Sequence, residues 1–176
     1  MLDIQTVNRM DYGAFVQTFG HVFEHSPWIA ERAWNARPFE SPEALHATMI
    51  KVVRAASPEE KRRLLNAHPE LAGKEARARA MTQDSVAEQG SAGLDRLSEE
   101  DFVRFDRLNA AYREKFGFPF IIAVRGRTKP EIVAAFERRL ANEPGTELNA
   151  ALDEIAAITR MRMEGLFGTS EPETSG

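Results

Sequence analysis

The chain has 176 residues, 43% of them hydrophobic and 28% charged, with a formal net charge of -4, four histidines and no cysteine. A chain of that length suits one domain able to bury roughly 70% of the surface its unfolded form exposes. The composition excludes disorder and a membrane span, the lack of a dense Lys/Arg block argues against a nucleic-acid partner, and the missing cysteines exclude disulfides and thiolate chemistry.

Short helices are predicted near 11–24 and 27–35. Ser41-Pro42-Glu43 then opens a helix over about 42–56, because a Ser hydroxyl accepts from an orphan amide and Pro is tolerated in the first turn. Ser57-Pro58-Glu59-Glu60 starts the next, about 58–66, with capping-box spacing from Ser57 to Glu60. His68 follows that helix, and Pro69 biases it away from helical geometry, so its imidazole sits on an irregular connection where functional groups concentrate. From spacing alone, the commoner role of such a loop histidine is to cap the preceding helix.

Ser85-Val-Ala-Glu88-Gln89 lies among small residues and ends at Gly90 and Gly93. On a helix, steps of three and four put Ser85, Glu88 and Gln89 on one face, a hydroxyl, a carboxylate and an amide suited to a polar ligand. Ser-x-x-Glu is also a capping box, which would make Ser85 a helix start instead. Ser98-Glu99-Glu100-Asp101 opens a helix over about 98–116 whose Phe102, Phe105, Leu108, Tyr112 and Phe116 form one apolar stripe, the mark of a central packing helix.

Phe120-Ile-Ile-Ala-Val124 is strand-like but has no partner run, so it is predicted as a buried extended segment in an otherwise all-α, single-domain helical bundle. Its backbone amides and carbonyls, not consumed by helical bonding, suit the edge of a small heterocycle; it serves equally as a hydrophobic plug between helices. Thr128-Lys129-Pro130-Glu131 opens a helix over about 130–142, and a last one follows over about 146–166. On it Leu148, Leu152, Ile155, Thr159, Arg162 and Leu166 follow one stripe. Arg162 therefore interrupts a core-facing row and needs an anionic partner, an internal carboxylate or a bound ligand, whereas Arg160 projects to the opposite side. The tail from 168 to 176 is too polar to pack and is expected to be disordered, leaving residues 1–167 as the domain. With neither a signal sequence at Met1-Leu-Asp-Ile-Gln nor a peroxisomal signal at Thr174-Ser-Gly, the cytoplasm is the expected location.

Taken together, His68-Pro-Glu-Leu-Ala-Gly73, Ser85-Val-Ala-Glu88-Gln89, Ala92-Gly93-Leu94, the Tyr112 to Val124 block with Lys115-Phe-Gly-Phe-Pro-Phe-Ile-Ile, and Ile158-Thr-Arg-Met-Arg-Met163 resemble the OHCU decarboxylase family. Phe19-Gly20 and Glu24-His25-Ser-Pro-Trp28 resemble its N-terminal region, so the likeness runs from about residue 10 to 167, with Met163 where the family commonly has Leu. The resemblance implies an all-α, homodimeric enzyme without metal or organic cofactor that converts 2-oxo-4-hydroxy-4-carboxy-5-ureidoimidazoline (OHCU) to (S)-allantoin at the end of urate oxidation. It further implies His68 and Glu88 as catalytic residues, with Pro69, Ser85, Gln89, the backbone of Phe120, Ile121, Ile122 and Ala123, and Arg162 at the substrate. Two other readings stay open: a helical interaction module with no activity, and an enzyme of the same scaffold acting on a related ureido or imidazoline acid.

Overall fold

The computed structural model describes residues 1–73 and 81–168. Among these residues every regular element is helical, and they fall into two compact units, one of residues 1–57 with the chain from 159 onward, the other of residues 58–158. The disorder expected of the tail concerns, beyond Gly168, positions outside the described residues.

In the first unit the helices are α1 (Ile4–Asn8), α2 (Tyr12–Phe19), α3 (Trp28–Ala33), extended by a 3-10 turn at Trp34–Ala36, and α4 (Pro42–Ala55). Asp3, Asp11 and Ser41 cap α1, α2 and α4 by accepting from the amides of Thr6, Ala14 and Ala44. Each cap satisfies a donor that a helix start leaves unpaired. The helix expected over 11–24 stops at Phe19, with Gly20 as its C-cap, and the chain turns through residues 20–25. The one-turn α1 was not anticipated, being too short to show a period. Phe15, Phe19, Ile29, Leu45 and Met49 are fully buried and form the core of this unit.

The second unit holds α5 (Pro58–Ala67), α6 (Gln83–Ser91), α7 (Glu99–Phe116), α8 (Lys129–Leu140) and the part of α9 (Pro144–Phe167) that ends at Ile158. Ser98 and Thr128 cap α7 and α8 as their spacing predicted, accepting from the amides of Asp101 and Glu131. Phe105, Tyr112 and Phe116 of the α7 stripe are buried, and Tyr112 meets the rings of Phe116, Phe118, Phe120 and Phe136. Gly117 ends α7 in the left-handed region, at φ 79°, where a side chain would strain the backbone. The turn it makes leads into residues 118–124, all buried and outside any helix, which include the expected run Phe120 to Val124.

That run has no neighbouring strand among the described residues, yet its backbone groups cannot be left bare in a core. Side chains take the place of a strand: the Arg139 Nη1 donates to the Ile121 carbonyl at 2.6 Å, and the Ala123 amide donates to Glu154 Oε2 at 3.0 Å. Arg139 in turn is held by Glu147, which is wholly buried and also accepts from the Tyr112 hydroxyl at 2.5 Å and the Asn142 amide at 3.0 Å. Burial, then the Glu147 carboxylate, push the Tyr112 phenol far above its ordinary pKa, so it stays a donor at every working pH.

Candidate active site

The site is built on the connection that follows α5. That helix ends at Ala67, and His68 leaves it with its amide still on the Leu65 carbonyl. Pro69 then forbids another helical turn. The next residues are tied down by two helices at once. The Gln89 Oε1 accepts from the Ala72 amide at 3.0 Å, and its Nε2 donates to the Glu70 carbonyl at 3.2 Å. From α7, the Asn109 amide donates to the Leu71 carbonyl at 2.9 Å, and Arg113 Nε pairs with Glu70 Oε1 at 2.9 Å. Ala72 is fully buried at φ 50°, a conformation non-glycine residues hold only where surrounding bonds fix it. The loop carrying His68 is thus pinned, not merely adjacent to the site.

α6 supplies the facing side. Its N-cap is Thr82, whose hydroxyl accepts from the Ser85 amide at 3.3 Å. The capping reading of Ser85 therefore fails: Ser85 stands one turn inside the helix, its side chain buried and directed with Glu88 and Gln89 along one face. His68, Pro69 and Leu71 from the loop, Ser85, Glu88 and Gln89 from α6, Phe120, Ile121, Ile122 and Val124 from the extended run, and Ile158 from α9 enclose a cleft of about 340 Å3 including its open mouth. All of these residues belong to the second unit. One wall is apolar and the other carries an imidazole, a hydroxyl, a carboxylate and an amide, the make-up of a small polar-ligand site. Among the described residues, His68 and Glu88 are the titratable groups of the lining.

The structure thus brings His68, Pro69, Ser85, Glu88, Gln89, Phe120, Ile121 and Ile122 together, as the sequence reading grouped them. Two expected residues are not part of that lining. Ala123 does not line the cleft, because its amide is turned to Glu154. Arg162 belongs to the first unit, where its Nη2 meets Glu24 Oε1 at 2.8 Å and its Nη1 donates to the Val22 carbonyl at 3.1 Å. With 6% and 1% of their side chains exposed, Arg162 and Glu24 form the internal ion pair that a core-facing guanidinium requires. Arg160 projects to solvent, as its place on the helix predicted.

Leu71, Val124 and Ile158 line the cleft without having been singled out. Val124 was legible as the end of the apolar run that supplies Phe120, Ile121 and Ile122 to the same lining. Leu71 sits inside the His68 to Gly73 motif but shows no chemistry of its own. Ile158 lies one position short of the apolar row read from Leu148 to Leu166.

Comparison with known proteins places this geometry. A sequence profile of the OHCU decarboxylase family matches residues 8–164. The chain is 45% identical over 168 residues to the 2-oxo-4-hydroxy-4-carboxy-5-ureidoimidazoline decarboxylase of Haloferax volcanii, covering 96% of this chain and 98% of that one. It is 42% identical over 174 residues to the uric acid degradation bifunctional protein PucL of Bacillus subtilis, a match spanning 99% of this chain and 34% of that longer protein. Among solved structures, the crystal structure of (S)-allantoin synthase superposes with a TM-score of 0.75 at 28% identity, covering 93% of this chain and 54% of that chain. The profile and the Haloferax volcanii relative both extend over nearly the full chain, through the cleft and its supporting helices, and the chain belongs to the OHCU decarboxylase family.

Proposed function

We propose that this chain is an enzyme that decarboxylates 2-oxo-4-hydroxy-4-carboxy-5-ureidoimidazoline and releases (S)-allantoin. The observation that carries the reading is the convergence of His68 and Glu88, with Ser85 and Gln89, on one cleft backed by the apolar run 120–124. A helical interaction module would have no need to bring these groups to one concave surface.

The chemistry asks for positioning and proton handling. The bond from the ring carbon to the carboxylate breaks and releases carbon dioxide. Its electron pair forms a double bond to the neighbouring ring carbon as the imine nitrogen there takes a proton. A proton then adds to that neighbouring carbon from one face while the hydroxyl loses its own and becomes the carbonyl of the product. The substrate's own imine is the electron sink, so no organic cofactor has to supply one. A histidine can give and take a proton near neutral pH, and His68 is the group we assign to proton delivery, with Glu88 holding the ureido or hydroxyl hydrogens or polarising the imidazole. Ser85 and Gln89 orient the ring, and Pro69 with the backbone of Phe120 to Ile122 shapes its pocket, while the family likeness alone assigns Arg162 to a substrate oxygen. The homodimeric state and cytoplasmic location that accompany this family are part of the same reading; light scattering on the eluted protein tests the first.

The deciding experiment is circular dichroism of allantoin formed from urate by urate oxidase and hydroxyisourate hydrolase in EDTA-treated buffer, with and without this protein. Faster appearance of optically active (S)-allantoin is expected. Racemic product at the spontaneous rate would sink the proposal.

A further inference from the structure

We infer that Arg139 and Glu154 are positioning residues, a charged clamp that replaces a neighbouring strand and sets which edge of the run 120–124 is offered to the substrate. The inference rests on the proposed reading of the cleft as the substrate site. In an extended chain the amide and carbonyl of alternate residues point to the same edge. Arg139 holds the Ile121 carbonyl and Glu154 holds the Ala123 amide, so both bonds lie on one edge. The intervening Ile122 lines the cleft, and the same alternation puts its amide and carbonyl on the other edge.

A register slip of one residue would exchange the two edges and turn the recognising peptide away. The clamp opposes that slip with charge-assisted bonds, stronger than the neutral bonds of an ordinary strand pair. Arg139 is itself locked: Glu147 grips its Nε at 2.8 Å, and its guanidinium lies 4.4 Å from the centre of the Phe120 ring. Glu154 is the lighter jaw, its side chain 21% exposed and 3.7 Å from Arg127. Neither jaw lines the cleft, so each acts on substrate only through the backbone it holds.

Glu154 is the residue to test, because removing Arg139 would strand the buried Glu147 charge and unfold the protein. Glu154→Ala takes the acceptor away, and Glu154→Gln keeps an oxygen for the same amide. Amide exchange at Ala123, followed by NMR on the whole labelled chain, reads the clamp without any substrate. It should speed up by about tenfold or more in Glu154→Ala, with core amides such as Phe15 unchanged, and return toward wild type in Glu154→Gln. With OHCU generated from urate, Glu154→Ala should raise KM about fivefold while kcat stays within about twofold, and Glu154→Gln should restore KM. A structural role alone would lower the melting temperature without this KM shift or its rescue. Unchanged exchange in Glu154→Ala overturns the clamp, and faster exchange with wild-type KM overturns its positioning role. Absence of OHCU turnover in the wild-type protein overturns the functional reading and the positioning role with it, while exchange still judges the clamp.

Discussion

At the scale of single residues, the site divides into groups that can move a proton and groups that hold others in place. His68→Asn and Glu88→Gln preserve shape but remove titration, and each should cost at least about tenfold in turnover, up to the 10²–10⁴ typical of lost acid/base help, with the circular dichroism of the fold intact. Wild-type rates in both variants would remove them from the chemistry. Arg162 poses a different question, because its pairing with Glu24 and its assignment to substrate make opposite forecasts. Arg162→Lys keeps the charge and loses the planar fork, so a substrate role raises KM or lowers kcat/KM strongly, whereas Arg160→Lys changes little. Loss of melting temperature with unchanged kinetics in Arg162→Lys would assign the arginine to the ion pair alone. The sequence carried much of this: an arginine on a row with Leu152, Ile155 and Thr159 announces a buried charge before any partner is known. It did not disclose Glu24 as that partner, because two residues 138 positions apart share no local pattern.

At the scale of elements, α6 is the piece whose stability bears most directly on the site. It has nine residues, too few to persist in isolation, yet it presents Ser85, Glu88 and Gln89 together. Its Thr82 cap and the Ser98 cap of α7 make an instructive pair. Thr82→Ala and Ser98→Ala should each cost about 1 kcal/mol of stability. The Thr82 variant should also raise KM severalfold by loosening the helix start, while the Ser98 variant leaves kinetics unchanged, since α7 is anchored by Phe105, Tyr112 and Phe116. Equal kinetics in the two would show that the cap has no bearing on the cleft. Helix starts were the most legible elements because capping chemistry is local: Ser41, Ser98 and Thr128 cap where their spacing predicted. Ser85 misled for the same reason. Ser-x-x-Glu satisfies the capping pattern, but Thr82, three residues earlier, takes the role and leaves Ser85 to the cleft. The extended run was readable as buried, whereas its clamp was not, since Arg139 and Glu154 look in the sequence like ordinary charged faces of amphipathic helices.

At the scale of the whole molecule, stability should depend on pH through His46. Its Nε2 lies 2.9 Å from the Thr159 hydroxyl, and burial, then the Arg160 charge, hold its pKa below the usual histidine value. A histidine depressed in the folded state favours the neutral form there, so its contribution is complete above about pH 6.5 and is lost as the pH falls through the folded value. Melting temperature should accordingly fall as pH is lowered from 7.5 to about 5, and His46→Gln should flatten that slope. Identical slopes in the two proteins would mean that other groups govern the acid limb. Those melts are best followed at low protein concentration, for a reason that lies in the run from Phe120 to Val124. Once the helices around it open, these five residues become an uncharged, β-prone segment stripped of its clamp, able to pair with the same segment of another chain. Pro119 before it and Arg125 after it are the breaks that confine it. The segment proposed to offer the recognition edge is therefore also the expected point of self-association, and recovery after heating should fall as concentration rises.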